Sequence, residues 1–152
     1  MPMIKPSRLG HLVIRVRDLE RSEEFYTQVL GLEVKGRGGD RMIFFRSNPD
    51  VDHDLAIMKI SGDAPPPEPD RVGLYHFAYE LGSIEEIKDA YQVVQEKGVR
   101  VAGFGDHGDT KGLYILDPDG IEIELYALAP EHKDTPLEKI LTESLGEKAA
   151  AG

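Results

Sequence analysis

The spacing of hydrophobic and polar residues predicts a strand, a helix and three further strands in the first half of the chain. Leu9 to Val16 alternates as a half-buried strand, with His11 on one of its two faces. Apolar residues then recur at helical spacing between Asp18, a predicted N-cap, and Gly31, a predicted C-terminal glycine. Three strands are predicted next, around Glu33–Lys35, Arg41–Arg46 and Asp54–Ile60.

The second half shows the same order of elements. Leu74 to Glu80 is predicted as a strand, and Ser83 to Glu86 has the form of a capping box at a helix start. Gly98 is the predicted end of that helix. Three strands are predicted to follow, at Arg100–Phe104, Leu113–Leu116 and Ile121–Leu128.

These two halves form a sequence repeat with a nearly constant offset. After the helices the offset is 67 residues, from Gly31 to Gly98. One offset shared by strand, cap and helix predicts an α+β fold of two tandem βαβββ modules that form one open, barrel-like domain. Before the helix ends, a 65-residue offset joins His11 to His76, Asp18 to Ser83, and Tyr26 to Tyr91.

The linker between the halves is rich in proline, from Gly62 to Asp70, which predicts a stiff and extended segment. A module of about 55 residues would be marginally stable alone, so we expect a single domain over residues 8–128. Its parts are module 1 at about 8–60, a linker at 61–71 and module 2 at about 72–128. In the tail, residues 129–152, apolar spacing predicts a short helix that contains Leu137, Ile140, Leu141 and Leu145.

Composition and charge exclude several classes of function. The 152-residue chain has 18 Lys and Arg against 28 Asp and Glu, a net charge of −10 that argues against nucleic-acid and anionic membrane partners. No apolar stretch approaches the roughly 20 residues of a spanning helix, and Met1 to Lys5 has no signal-peptide core. The absence of cysteine excludes disulfides, thiolate metal sites and a cysteine nucleophile. We therefore expect a cytoplasmic protein.

Histidine and glutamate residues are the candidate metal ligands. A single histidine on a strand is usually structural, but His11 and His76 hold matching positions of two related modules, which indicates a shared site. Neutral imidazole is a ligand for iron, zinc, nickel and copper. Glu122 and Glu124 lie on one face of the last strand, and alternation alone does not choose between them as a third ligand.

Two stretches of the sequence resemble a known family. The segment from Leu9-Gly10-His11 to Leu30-Gly31-Leu32 resembles the opening of a module in the vicinal oxygen chelate (glyoxalase/bleomycin resistance/dioxygenase) superfamily. Gly105-Asp106-His107, followed by Leu113 to Gly120 and then Glu124, is similar to the signature of its type I extradiol ring-cleavage dioxygenases. The resemblance covers roughly Leu9 to Ala127 and selects Glu124 over Glu122.

The resemblance implies a role for each matching residue. It implies that His11, His76 and Glu124 bind Fe²⁺ as a facial triad with three open positions. Mn²⁺ is the alternative metal, and another divalent ion could occupy the site after purification. It further implies that His53 is the acid–base residue, and that Tyr114 and His107 contact the oxygens of the substrate. The implied partners are an aromatic diol of the catechol type and O₂, in a homo-oligomer.

Alignment of the two modules places Ala56 opposite Glu124, where glyoxalase-like relatives usually carry a fourth protein ligand. Alanine cannot bind a metal, which favours oxygenase chemistry. The alternatives are a glyoxalase- or epimerase-like metal-dependent isomerase and a metal-free drug-binding resistance protein. Strand alternation puts His53 and Ala56 on opposite faces, so the role of His53 requires the chain to bend where that strand begins.

Overall fold

The sequence repeat corresponds to two structural units in the computed structural model, which describes residues 1–151. The first unit is Met1–Pro65 and the second begins at Pro66, so the boundary falls within the proline-rich linker. Each unit contains one βαβββ module with its own four-stranded sheet. The predicted α+β class with two tandem βαβββ modules is therefore confirmed.

The first unit builds a mixed sheet with the strand order β1-β4-β3-β2. Strand β1 runs parallel to β4, and the other neighbours are antiparallel. The helix α1 connects β1 to β2. The elements are β1 (Leu12–Val16), α1 (Leu19–Gln28), β2 (Glu33–Gly38), β3 (Met42–Arg46) and β4 (Leu55–Lys59).

The second unit repeats this topology in the order β5-β8-β7-β6, again with one parallel pair, β5 and β8. Strands β6 and β7 extend further than their equivalents and meet in a tight hairpin. The elements are β5 (His76–Glu80), α2 (Ile84–Glu96), β6 (Val101–His107), β7 (Thr110–Leu116) and β8 (Glu122–Leu128).

Both helices begin and end where the sequence predicts. The side chains of Asp18 and Ser83 accept hydrogen bonds from the backbone N–H three residues further on, at 2.9 Å and 3.3 Å. Gly31 and Gly98 have φ angles of 67° and 64°, which other residues rarely adopt. The two modules therefore have capping residues at matching positions of the repeat, although α1 has 10 residues and α2 has 13.

In each unit the helix covers one face of the sheet, and the core lies between them. The buried residues alternate along β1, β3 and β8, as expected for a sheet with one covered face, whereas β4 and β7 each have three consecutive buried residues. In the first unit they include Ile14, Val16, Ile43, Phe45 and Ile57, with Tyr26 from α1. In the second they include Leu113, Ile115, Ile123 and Leu125, with Ile87 and Val94 from α2.

A β-bulge interrupts the same strand pair in both units. The pairing of β2 with β3 shifts between Val34 and Gly36, and that of β6 with β7 shifts between Val101 and Gly103. The shifted glycines are 67 residues apart, the offset found at the helix ends. The repeat therefore extends to an irregular backbone feature as well as to helices and strands.

The tail forms a short 3-10 turn at Pro130–His132 and then a helix, α3 (Leu137–Ala151). Its apolar residues Leu137, Ile140 and Leu141 are buried, and the helix packs on α2, β6 and β7. None of the helices within residues 1–151 combines the length and the hydropathy needed to cross a bilayer.

One ion pair anchors the start of α3. Asp106 at the end of β6 accepts a hydrogen bond from the backbone N–H of Leu137 at 3.0 Å. Its carboxylate also accepts one from Lys111 Nζ at 2.7 Å. The Lys111 side chain is 1% exposed, so it depends on Asp106 to balance its buried charge.

Candidate functional site

His76 and two glutamates form the polar centre of the second unit. Strand pairing places His76 beside Glu122 and places Glu124 two residues further along β8. His76 Nε2 lies 3.3 Å from Glu124 Oε2, and His76 Nδ1 lies 3.4 Å from Glu122 Oε2. The structure thus brings both candidate glutamates against the same imidazole, one at each nitrogen.

The turn between β7 and β8 sets the position of these glutamates. Asp117 Oδ1 accepts hydrogen bonds from the backbone N–H groups of Asp119 and Ile121, each at 2.8 Å. Gly120 has a φ angle of 88°, which the turn requires. Because this closed turn fixes the first residue of β8, alternation carries Glu124 to the face that holds His76.

Tyr114 hydrogen-bonds to the predicted glutamate ligand. It pairs with Glu124 across β7 and β8, and its hydroxyl donates to Glu124 Oε1 at 3.1 Å. Burial raises the pKa of Tyr114 to about 12, with further contributions from the hydrogen bond and the negative charge of Glu124. Tyr114 is therefore a neutral phenol at pH 7, and it can donate a hydrogen bond to an anionic oxygen.

Two glycines within strands β6 and β7, neither of them a predicted site residue, make room for these side chains. A Cβ on Gly112 would overlap Glu124 Oε1. A Cβ on Gly105 would lie 3.1 Å from the Tyr114 hydroxyl and 3.3 Å from His107 Nε2, so both atoms border one small space. Glycine inside a strand is the available signal, since it often marks a close approach.

His107 ends β6 and pairs with Thr110 across a two-residue turn. It is exposed, and it lies on the sheet face of Gly105 and Tyr114. The structure therefore groups four of the predicted site residues in the second unit: His76, His107, Tyr114 and Glu124.

The other two predicted site residues, His11 and His53, lie side by side in the first unit. The rings of His11 and His53 lie 4.6 Å apart, and Phe44 meets the His53 ring edge-on at 5.5 Å. His53 precedes β4, and the backbone bends at Asp54, so strand alternation does not apply to it. The bend that the role of His53 requires is present.

The side chain of Asp52 contacts the His53 ring at Nδ1. Asp52 Oδ2 lies 2.7 Å from His53 Nδ1, and this hydrogen bond lowers the pKa of the Asp52 carboxyl. The remaining ring nitrogen, Nε2, is then the one available to exchange a proton.

The strand register confirms that Ala56 is the counterpart of Glu124. Ala56 pairs with Val13 on one side and Phe44 on the other, whereas Glu124 pairs with Ala78 and Tyr114. Val13 and Ala78 are 65 residues apart, as the repeat requires. The first module therefore presents a buried methyl group where the second presents a carboxylate.

The three predicted ligands divide between the units, with His11 in the first and His76 and Glu124 in the second. Within residues 1–151, no three His, Asp or Glu side chains are gathered into a metal site. His76 and Glu124 in the second unit nevertheless have the spacing of two metal ligands. Two neighbouring donor atoms that each lie about 2.1 Å from one divalent ion are about 3.0–3.4 Å from each other. The 3.3 Å between His76 Nε2 and Glu124 Oε2 lies in that range.

Comparison with known proteins finds relatives with two kinds of activity. The chain is 36% identical over 125 residues to a catechol-2,3-dioxygenase of Bacillus subtilis (strain 168), covering 82% of this chain and 42% of that protein. It is 32% identical over 133 residues to a lactoylglutathione lyase of Escherichia coli O157:H7, covering 78% and 90% of the two proteins. The chain spans less than two thirds of the length of the dioxygenases that it matches.

Solved structures share the fold. A glyoxylase/bleomycin resistance protein/dioxygenase domain from Frankia sp. EAN1pec superposes with a TM-score of 0.70 at 22% identity, covering 82% of this chain and 99% of that domain. The sequence model of one superfamily matches residues 8–125, which spans both modules up to the middle of β8. The chain belongs to the Glyoxalase/Bleomycin resistance protein/Dioxygenase superfamily.

Proposed function

We propose that this protein is a metal-dependent extradiol dioxygenase that cleaves the ring of a catechol-type diol with O₂. The observation that carries the proposal is Ala56, at the position equivalent to Glu124. Because alanine offers no donor atom, only three protein ligands remain. A bidentate diol and dioxygen then have coordination positions to fill.

The proposed ligands are His11, His76 and Glu124, and the proposed metal is Fe²⁺, with Mn²⁺ as the alternative. When bound, the metal supplies Lewis acidity and a template that orients the diol and dioxygen. The 3.3 Å separation of His76 Nε2 and Glu124 Oε2 supports this choice. The repeat supports His11, which holds the position of His76 in the first module.

The residues around the ligands have distinct proposed tasks. His53 would accept a proton from the diol at Nε2, because Asp52 occupies Nδ1. Tyr114, neutral with a pKa of about 12, would donate a hydrogen bond to a substrate oxygen. His107 Nε2 borders the same small space as the Tyr114 hydroxyl, so it would contact the substrate from the hairpin.

A metal-dependent isomerase is the second candidate function. Its support is the match to lactoylglutathione lyase, of which this chain covers 90%, against 42% of the dioxygenase from Bacillus subtilis. Ala56 argues against it, because a four-ligand isomerase site would need a donor at that position.

Anaerobic reconstitution with Fe²⁺ tests the proposal. The reconstituted protein should hold about one metal ion and consume O₂ with a panel of catechols that includes 2,3-dihydroxybiphenyl. The variant Glu124→Ala, loaded in the same way, should consume none. Formation of lactoylglutathione in a parallel assay with methylglyoxal and glutathione, without O₂ uptake on catechols, would establish the isomerase instead. A protein that holds no divalent metal even after reconstitution would favour a metal-free binding protein.

A further inference from the structure

Two buried polar atoms face each other beside the predicted metal ligands. Among residues 1–151, His76 Nδ1 and Glu122 Oε2 are the buried side-chain atoms without a hydrogen-bond partner. They lie 3.4 Å apart, a few tenths of an ångström beyond hydrogen-bonding distance. Leaving both atoms unpaired costs about 1–3 kcal/mol for each, so a hydrogen bond between them is the favourable arrangement.

The two glutamates lie at different nitrogens of one ring. Glu124 is next to Nε2 and Glu122 is next to Nδ1. The lone-pair directions of the two imidazole nitrogens diverge, so one metal ion cannot bind both. If Nε2 and Glu124 bind the metal, Glu122 is on the wrong side of the ring to be a ligand.

We propose that Glu122 is a positioning residue, which accepts a hydrogen bond from His76 Nδ1–H and holds Nε2 toward the metal. This inference rests on the proposed function only for the identity of the ligands. A histidine that binds a metal through one nitrogen carries its proton on the other, and a carboxylate there fixes the tautomer and the ring orientation. Glu122 would thus support the proposed metal site through His76 without binding the metal itself.

The first module has a different contact at the position equivalent to Glu122. The residue equivalent to Glu122 is Asp54, which precedes β4 opposite His11. Asp54 Oδ2 accepts hydrogen bonds from the backbone N–H of Ser47, at 3.2 Å, and from its hydroxyl. The Asp54 carboxylate therefore binds Ser47, whereas the equivalent Glu122 carboxylate lies next to an imidazole nitrogen of the proposed ligand His76.

The Zn²⁺ affinity of the metal-free protein, measured by competition with a chromophoric chelator, tests the proposal. Glu122→Leu should bind Zn²⁺ about 10–100-fold more weakly than the wild type, the usual effect of losing such a partner. Glu122→Gln keeps an accepting oxygen and should recover most of the affinity. The matched control is Glu131→Gln, since Glu131 is exposed and lies 4.0 Å from His132, which is not a proposed ligand.

The tautomer of His76, read from long-range ¹H–¹⁵N NMR spectra of the Zn²⁺-loaded protein, provides a readout that a purely structural role would not change. The wild type should carry its proton on Nδ1 with Nε2 on the metal, and Glu122→Leu, which lacks the acceptor at Nδ1, should show a mixture of tautomers. Wild-type affinity and tautomer in Glu122→Leu would overturn the proposal. Complete loss of binding, equal to that of Glu124→Ala, would also overturn it by making Glu122 a ligand.

These results separate the two proposals. Absence of O₂ uptake, with the expected Zn²⁺ and NMR results, would refute the dioxygenase and support the role of Glu122. If His76→Ala bound Zn²⁺ as tightly as the wild type, the ligand assignment would fail and both proposals with it.

Discussion

The carboxylate of Glu124 lies across the backbone of Gly112, in the space that a Cβ atom would fill at any other residue. The atom in conflict is the end of a flexible side chain. An added methyl group would therefore displace the carboxylate and leave the sheet intact. Gly112 acts on the site by allowing Glu124 to reach His76 and Tyr114 together.

Gly112→Ala should accordingly weaken Zn²⁺ binding by about 10–100-fold, as expected when a ligand is poorly held, while the melting temperature changes little. Gly103→Ala is the matched control, because a Cβ at Gly103 meets nothing within 4 Å. Calorimetric titration and thermal unfolding measure the two effects. Equal affinity in both variants would show that Glu124 does not bind the metal in this position.

Replacement of Asp106 should destabilise the protein without touching the proposed ligands. Asp106→Asn leaves Lys111, which is 1% exposed, without its carboxylate partner. We expect a loss of about 2 kcal/mol, below the roughly 3–5 kcal/mol of a fully buried pair, because the Asp106 side chain is 39% exposed. Asp89→Asn removes the exposed pair with Lys148 and should cost at most about 0.5 kcal/mol in urea unfolding.

The ion pair of Asp106 and Lys111 also predicts that the stability of the protein depends on pH. Burial alone would raise the pKa of Asp106, but hydrogen bonds from Lys111 and from the backbone of Leu137, with the charge of Lys111, lower it overall. A carboxyl with a lowered folded-state pKa stabilises the protein above its unfolded pKa of about 4. This contribution disappears as the pH falls through the folded-state value. The difference between wild type and Asp106→Asn should therefore shrink below about pH 4; a constant difference would contradict the ion pair.

His53→Gln should separate proton transfer from metal binding. The His53 ring lies beside His11 but is not a proposed ligand, so the variant should retain the metal and lose about 10²–10⁴-fold in kcat. His11→Ala should lose the metal itself. The control is His132→Gln, which changes a histidine in the tail and should keep full activity. Full activity of His53→Gln would exclude His53 as the acid–base group.

Ala56→Glu tests whether the coordination position that we propose to be open is needed for activity. The new carboxylate would hold the position that Glu124 holds in the second module, so it should abolish O₂ uptake while Zn²⁺ still binds. Because the site is buried, the metal-free variant should unfold at a lower temperature, and Zn²⁺ should raise that temperature more than in the wild type. Ala56→Ser, similar in size, should stay active. Undiminished O₂ uptake by Ala56→Glu would remove the main support for the dioxygenase.

The sequence was sufficient for the features that depend on local chemistry and on the repeat. The caps at Asp18 and Ser83 and the glycines at Gly31 and Gly98 follow from hydrogen bonding and backbone freedom, and the structure has all four. The equivalence of Ala56 and Glu124 follows from counting residues within aligned strands. Such features do not require knowledge of distances between strands.

The features that the sequence missed depend on those distances. Alternation places Glu122 and Glu124 on one face, but it does not show that each lies at a different nitrogen of His76. Alternation also failed for His53, because the strand begins only at Leu55 and the preceding residues bend. The buried Lys111 could not be anticipated either, since its partner Asp106 lies across a hairpin and binds the start of α3.

The two β-bulges have a consequence for the history of the chain. A one-residue shift stands before Gly36 and again before Gly103, at the same place in both modules. Two independent insertions at one register are a less economical explanation than inheritance from a single ancestral half that already carried the bulge. The difference between Ala56 and Glu124 then arose after that ancestor was copied. The difference between Ala56 and the proposed metal ligand Glu124 is thus younger than the fold that the two modules share.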